Sequence, residues 1–245
     1  AGRQLKLIQQ DPRLMKAAIF AHYKGAHRDE GIDEGATLII HASNNSGWFW
    51  YIPLSDDRVS VGVVGNPGDL LKGRGSPGEI LAEEIAESPA MRERLSSASL
   101  CSEVMAISDF SYRSRRCAGD GWVLVGDAFG FVDPVYSTGV FLALKSGELA
   151  ADCIGDALAE GDLGAEKLGA FGPGLVEGIE AMRKLVYAFY TPGFSFADFV
   201  REHPEHGERL VDLLTGNVFK DGVTDIFDDM KDFCDLPEEI PLEAG

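Results

Sequence analysis

The sequence predicts a mixed α/β chain, arranged in this stretch as α+β: an antiparallel sheet in the first half, helices in the second. Three observations predict it. Strand-like segments follow one another over residues 18–64 with only short turn signals between them, the pattern of an antiparallel meander. From about residue 165 onward each segment has helical spacing, and Pro and Gly separate the segments. The composition is that of a globular chain, with 45% hydrophobic and 25% charged residues among 245, enough to bury a sizeable core.

The elements are justified in order. Residues 18–23, 37–41, 48–53 and 59–64 read as strands. Asn44-Asn45-Ser46-Gly47 and Ser55-Asp56-Asp57 mark the turns between the last three. Asn66-Pro67-Gly68-Asp69 is turn-rich. A short helix is predicted over 77–87, with Ser76 as N-cap, Pro77 at the first helical position and Glu79 closing a capping box. Ser88-Pro89 should end it. Residues 104–112 read as a strand and 122–125 as a short buried one. A long helix runs from 139 to about 158. Helical segments follow at about 165–190, 195–202, 205–215 and 224–233.

Charge narrows the function. Lys plus Arg total 22 against 40 Asp plus Glu, a net charge of −18. Such a surface repels phosphate backbones and anionic membranes, so nucleic acid is not an expected partner. No apolar run approaches a membrane span. Cys101, Cys117, Cys153 and Cys234 are scattered, without CxxC spacing. They read as reduced thiols, and with no leader pattern after Ala1 a cytoplasmic location is expected.

Two segments could carry chemistry. The first is Gly126-Asp127-Ala128, followed by Asp133-Pro134, Tyr136 and Ser137-Thr138-Gly139. A strand ending at Val125 would put Asp127 at the carboxyl edge of a sheet, where open α/β sheets bind ligands. A carboxylate there can accept hydrogen bonds from hydroxyls. The unpaired amides at the start of the long helix suit an anion or an electron-rich oxygen, and Gly139 permits close approach. The competing reading is a plain turn, with Asp127 and Ser137 as caps. The second segment is Trp48-Phe49-Trp50-Tyr51-Ile52-Pro53. In a strand, Trp48, Trp50 and Ile52 share one face, and Phe49 and Tyr51 the other. It reads either as a core strand buried on both sides or as an aromatic wall between a flat cofactor and a substrate.

Together these segments resemble the flavin-dependent halogenases of the FAD-dependent monooxygenase superfamily. Trp48 to Pro53 is similar to their WxWxIP motif. Gly126-Asp127-Ala128 with Asp133-Pro134 and Ser137-Thr138-Gly139 is similar to the second flavin-binding motif of the superfamily. The resemblance covers roughly residues 17–155 and is nearest to the branch acting on phenols, pyrroles or carrier-bound aromatics. It implies part of an FAD-binding, two-domain flavoprotein monooxygenase-like fold. Residues 1–115 would be the substrate-side sheet with its connecting helix, 116–160 the C-terminal part of the FAD-binding domain, and 161–245 a helical region.

The resemblance also implies a mechanism. Reduced FAD and oxygen give a flavin hydroperoxide, which oxidises a halide to hypohalous acid, and a lysine receives it near the substrate. Gly126, Asp127, Pro134, Ser137, Thr138 and Gly139 would bind the cofactor, with Asp127 on the ribityl chain. Thr138 and Gly139 would also hold the halide. Trp48, Trp50, Ile52 and Pro53 would separate substrate from flavin. The implied partners are a small aromatic substrate, halide, oxygen, a separate flavin reductase and an acyl-carrier protein. An aromatic hydroxylase or a geranylgeranyl-reductase-like enzyme could use the same scaffold, and a cofactor-free binding module is the non-enzyme alternative.

The sequence departs from the pattern in two places. Tryptophan-type halogenases carry Glu before Ser-Thr-Gly; Tyr136 stands there, which argues against free tryptophan. The family's opening GxGxxG unit and reactive lysine are not seen upstream of residue 17, so the chain reads as a C-terminal portion and the catalytic lysine is expected outside it. Gly73-Arg74-Gly75-Ser76-Pro77-Gly78 does satisfy GxGxxG, but no strand leads directly into it, and it reads as a surface loop. His203-Pro204-Glu205-His206 shows no third ligand, so no metal is expected. His41 reads as a packed core histidine, and Lys145 as structural or exposed. Small residues at 139, 143 and 147 form a stripe for packing the long helix on the sheet.

Overall fold

The computed structural model describes residues 6–42 and 47–243. The turn expected at Asn44, Asn45 and Ser46 lies outside the described residues. The chain divides into two compact units, Met15–Phe110 on the one hand and Ala1–Leu14 with Ser111–Gly245 on the other. The three segments expected from sequence divide differently: 116–160 and 161–245 fall in one unit, and the first fourteen residues join them. The cause is long-range pairing. Strand β1 (Ile8–Gln10) lies beside Tyr112–Ser114 in antiparallel register, and Asp11 is tied to Arg183 and Tyr187.

The inserted unit holds β2 (Ala17–Lys24), β3 (Leu38–His41), β4 (Gly47–Pro53), β5 (Arg58–Gly65), β6 (Ser99–Leu100) and β7 (Met105–Ser108). They form one sheet in the order β3-β4-β5-β2-β6, with β7 also paired to β2, and every pairing is antiparallel. All four strands read over 18–64 are present within a residue of expectation. Three short helices follow β5: α1 (Pro67–Leu70), α2 (Pro77–Glu87) and α3 (Pro89–Arg94). The capping box at α2 is complete: Ser76 Oγ accepts from the Glu79 amide at 3.4 Å, and the Ser76 amide donates to the Glu79 carboxylate at 2.8 Å. Ser88 ends α2 as read, but it also caps α3, accepting from the Met91 amide. Pro89 then sits at a first-turn position, where its missing N–H costs nothing. One face of the sheet packs Ile19, Phe49, Tyr51, Val61 and Val63 against Ile80 and Leu81 of α2 and Met91 of α3.

The strand expected over 104–112 is broken. Asp109 takes a left-handed backbone (φ 56°), so β7 stops at Ser108 and β8 (Tyr112–Ser114) begins in the other unit. That unit continues with β9 (Ala118–Gly119), β10 (Trp122–Val123) and β11 (Gly130–Phe131). β8 pairs with both β1 and β11, and β9 with β10. The helices are α4 (Gly139–Glu160), α5 (Ala165–Leu168), α6 (Gly172–Tyr190), α7 (Phe196–Glu202), α8 (Gly207–Leu214) and α9 (Ile226–Met230). α4 ends at Gly161, whose left-handed φ of 72° supplies the C-cap. The segment read as one helix over 165–190 is two, interrupted at Gly169–Phe171, with Pro173 opening the second.

A buried charge network ties β1 to α6. Arg183 Nε donates to Asp11 Oδ2 at 2.7 Å and its Nη1 to Glu180 Oε2 at 2.6 Å, while the Tyr187 hydroxyl donates to Asp11 Oδ1 at 2.6 Å. Burial pushes the Asp11 carboxyl up, but the bonds from Tyr187 and Arg183 outweigh it and hold the group below 3.8. Burial wins at Glu180, which is raised despite Arg183. Among the described residues no helix is long and apolar enough to cross a membrane.

Candidate functional site

The acidic loop is organised around α4. The strand read over 122–125 is only two residues long and pairs antiparallel with β9. The carboxyl edge of a parallel sheet therefore does not position Asp127 among the described residues. A single 3-10 turn over Gly126–Ala128 does. Gly126 has a φ of +53° and lies so close to α4 that a Cβ would come within 3.1 Å of Ala143 Cβ. Its amide donates to Ser146 Oγ at 2.8 Å, and that hydroxyl donates to the Ala143 carbonyl at 2.8 Å. The Tyr112 hydroxyl donates to the Asp127 carbonyl at 2.7 Å. The turn is thus held by its backbone, and the exposed Asp127 carboxylate has no partner among the described residues.

The second half of the loop is fixed in the same way. The buried Asp133 carboxylate accepts from the Val135 amide at 2.9 Å and from the Tyr190 hydroxyl at 3.2 Å. The Ser137 amide donates to the Pro134 carbonyl at 3.0 Å. Ser137 itself sits in the left-handed region (φ 55°), a conformation that costs energy in a non-glycine residue. The Tyr136 hydroxyl donates to the Leu185 carbonyl at 3.3 Å, and burial pushes its pKa well up. The chain then enters α4 with Thr138 as N-cap residue, and no side chain caps the helix. Neither Asp127 nor Ser137 acts as the cap that the plain-turn reading assigned them. The first amides of α4 therefore have no side-chain cap, and the helix dipole makes this end suited to negative charge.

Space at the helix mouth is tight. A Cβ on Gly139 would stand 3.3 Å from the Phe131 ring. A cavity of 20 Å³ lies between Gly126, Phe131, Thr138, Gly139, Leu142 and Ala143, room for about one water molecule. Of the small-residue stripe, Gly139 and Ala143 make close contacts, with Phe131 and with the 3-10 turn, whereas Gly147 has open space beside it. Lys145 pairs with Glu148 at 3.0 Å, a helix-surface role. Sequence reading missed Ser146 and Tyr112, which hold the turn. A serine amid small and apolar residues of a buried helix stripe was the available signal.

The aromatic segment is β4, in the inserted unit. Phe49 and Tyr51 point into the core. Trp48 and Trp50 share the other face with ring centroids 6.3 Å apart, and Phe20 lies 5.7 Å from Trp50. Trp50 lies over Gly62, where a Cβ would come within 2.2 Å of the indole, and its Nε1 donates to Ser60 Oγ at 3.1 Å. Trp48 is 1% exposed; Trp50, Ile52 and Pro53 are half-buried. His41, read as a core histidine, is exposed, because β3 is the edge strand of the sheet. Gly73–Ser76 is the loop leading to α2, as read, and Pro77 and Gly78 already belong to the first turn of that helix. At His203 and His206, the local Glu205 and the distant Asp229 of α9 bring two carboxylates close to the imidazoles.

The chain is similar to known proteins over most of its length. The tryptophan halogenase family matches residues 34–223. The 1H-pyrrole-2-carbonyl-[peptidyl-carrier protein] brominase of Pseudoalteromonas luteoviolacea is 40% identical over 147 residues, covering 59% of this chain and 36% of that protein. The corresponding chlorinase of Pseudomonas fluorescens is 26% identical over 244 residues, covering 98% and 54%. The structure of the flavin-dependent brominase Bmp2 superposes with a TM-score of 0.81 at 28% identity, over 92% of this chain and 57% of that one. The chain spans about half the length, or less, of these relatives. On the strength of a match over most of its length, this chain belongs to the tryptophan halogenase family.

Proposed function

We propose that the chain is part of an FAD-dependent halogenase acting on a pyrrole carbonyl presented by a carrier protein. Its other partners are halide, dioxygen and a separate flavin reductase. The observation that carries the reading is the loop that leads into α4: it holds the motif residues, with an exposed Asp127 carboxylate and a helix start that no side chain caps. The names of the brominase and chlorinase relatives support the substrate class. The absence of a Glu before Ser137 supports a substrate other than free tryptophan. The four free cysteines fit a cytoplasmic setting.

The donor chemistry of the loop fits the cofactor, an exposed carboxylate and helix-start amides that no side chain caps, though the space seen between the loop and α4 is only 20 Å³. Asp127 would accept hydrogen bonds from ribityl hydroxyls. Gly126, Pro134 and Ser137 shape the loop around it. The Thr138 and Gly139 amides would donate to a flavin ring oxygen or to halide, a charge the helix dipole favours. Bound FAD supplies the activation of oxygen by which halide is oxidised to hypohalous acid. By the family resemblance Trp48, Trp50, Ile52 and Pro53 would be the residues that separate substrate from cofactor; Trp48 itself is fully buried.

The test is turnover of the whole protein with a flavin reductase, bromide or chloride, and either pyrrole-2-carbonyl carrier protein or free phenols, read by mass spectrometry. Halogenated carrier-bound pyrrole is the expected product. Halogenated free phenols would reassign the substrate, and oxygenated products alone would reassign the enzyme to the hydroxylases.

A further inference from the structure

We propose that the corner formed by α7, α8 and α9 binds a divalent transition-metal ion of zinc type. The ligands are His203 Nδ1, His206 Nε2 and Asp229 Oδ2, with Glu205 Oε1 at the rim. The donor atoms all lie within 4.8 Å of one another. His206 Nε2 stands 2.7 Å from Asp229 Oδ2; His203 Nδ1 stands 3.9 Å from that oxygen and 3.3 Å from Glu205 Oε1. Tetrahedral zinc with ligands at about 2.0–2.1 Å spaces its donors about 3.4 Å apart. The observed spacings bracket that value, so sub-ångström shifts close the site.

The imidazoles are already ordered. Pro204 opens a 3-10 turn that brings the two rings to 6.0 Å. Phe199 stacks on both, at 5.2 Å to His203 and 5.8 Å to His206, and Phe233 meets His203 edge-on at 5.5 Å. His206 is only 4% exposed. Ligands held by packing lose little freedom on binding, which favours affinity. The net charge of −18 favours cations at the surface.

One resident cation opposes the ion. Arg209 Nη1 lies 3.4 Å from His206 Nδ1. A guanidinium can only donate, so without metal His206 accepts at Nδ1 and donates Nε2–H to Asp229. Coordination through Nε2 requires the other tautomer, with the proton on Nδ1. Arg209 must then turn away, towards the carbonyls of Glu205 and Gly222 and the Asp225 carboxylate that it already contacts. Arg209 is therefore a competitor for the site, and removing its charge should strengthen binding.

The experiment is isothermal titration of the purified protein with Zn²⁺, together with melting temperatures. Wild type should bind one equivalent saturably and melt higher with zinc. His203→Ala and Asp229→Asn should each weaken binding at least tenfold and abolish the zinc-dependent rise. Arg209→Gln should tighten binding severalfold. The buried His206 is left intact, so loss of folding does not confuse the result. No saturable binding, equal affinity in the His203 and Asp229 variants, or weaker binding in Arg209→Gln would overturn the proposal. Because the readout is binding and not turnover, it stands or falls separately from the halogenase reading.

Discussion

The inserted sheet and the Asp127 loop are built on different principles. The sheet is a continuous antiparallel ladder with one face in a hydrophobic core, so its stability is spread over many contacts. The loop has strands of two or three residues and relies on a few specific hydrogen bonds: Gly126 to Ser146, Tyr112 to Asp127, and Asp133 to Val135 and Tyr190. Distributed burial tolerates the loss of a polar group and punishes the loss of volume. A hydrogen-bonded loop does the reverse.

The largest effects test the two kinds of core. Phe49→Ala removes a fully buried ring from the sheet and should cost about 3–5 kcal/mol in urea unfolding. Asp11→Ala removes no apolar volume but leaves Arg183 and Tyr187 short of a buried partner; about 3 kcal/mol is expected. A much smaller loss would show that volume governs both units. The pH dependence sharpens this. A carboxyl held below 3.8 adds stability above that value and loses it as pH falls through its lower folded pKa. Wild type should therefore weaken on acidification below about pH 3.8. Asp11→Ala should weaken less over the same range, as read by urea melts at neutral and acidic pH.

Next comes Ser146→Ala. It leaves the Gly126 amide without its partner, and roughly 1–3 kcal/mol should be lost. FAD affinity of the whole protein, followed by flavin fluorescence, should fall with it. Unchanged affinity would mean that the turn does not shape the cofactor site. The smallest effect lies in the inserted unit, where Ser76→Ala removes one side of the capping box and should cost about 1 kcal/mol, measured by thermal unfolding.

The regions also differ in how far the residues alone reveal them. The β4 and β5 strands, the α2 capping box and the 22-residue α4 are written in local patterns that need no distant partner. The motifs around Trp48 and Asp127 were legible too, and with them the family. The break at Asp109 was not, because a left-handed Asp leaves little trace in a strand-like run. The roles of Ser146 and Tyr112 were hidden, since their partners are backbone groups fifteen and twenty residues away.

The sequence by itself determined the meander, the long helix, the family and the chemical types gathered near Asp127, because period, capping and motif spacing act over a few residues. Only the tertiary structure decided that β1 joins the helical unit through Asp11 and Arg183, that a 3-10 turn clamped to α4 carries Asp127, and that Asp229 meets His203 and His206. Those contacts join residues distant in the chain. Their geometry is set by packing and by the need to satisfy buried polar groups, which no local pattern encodes.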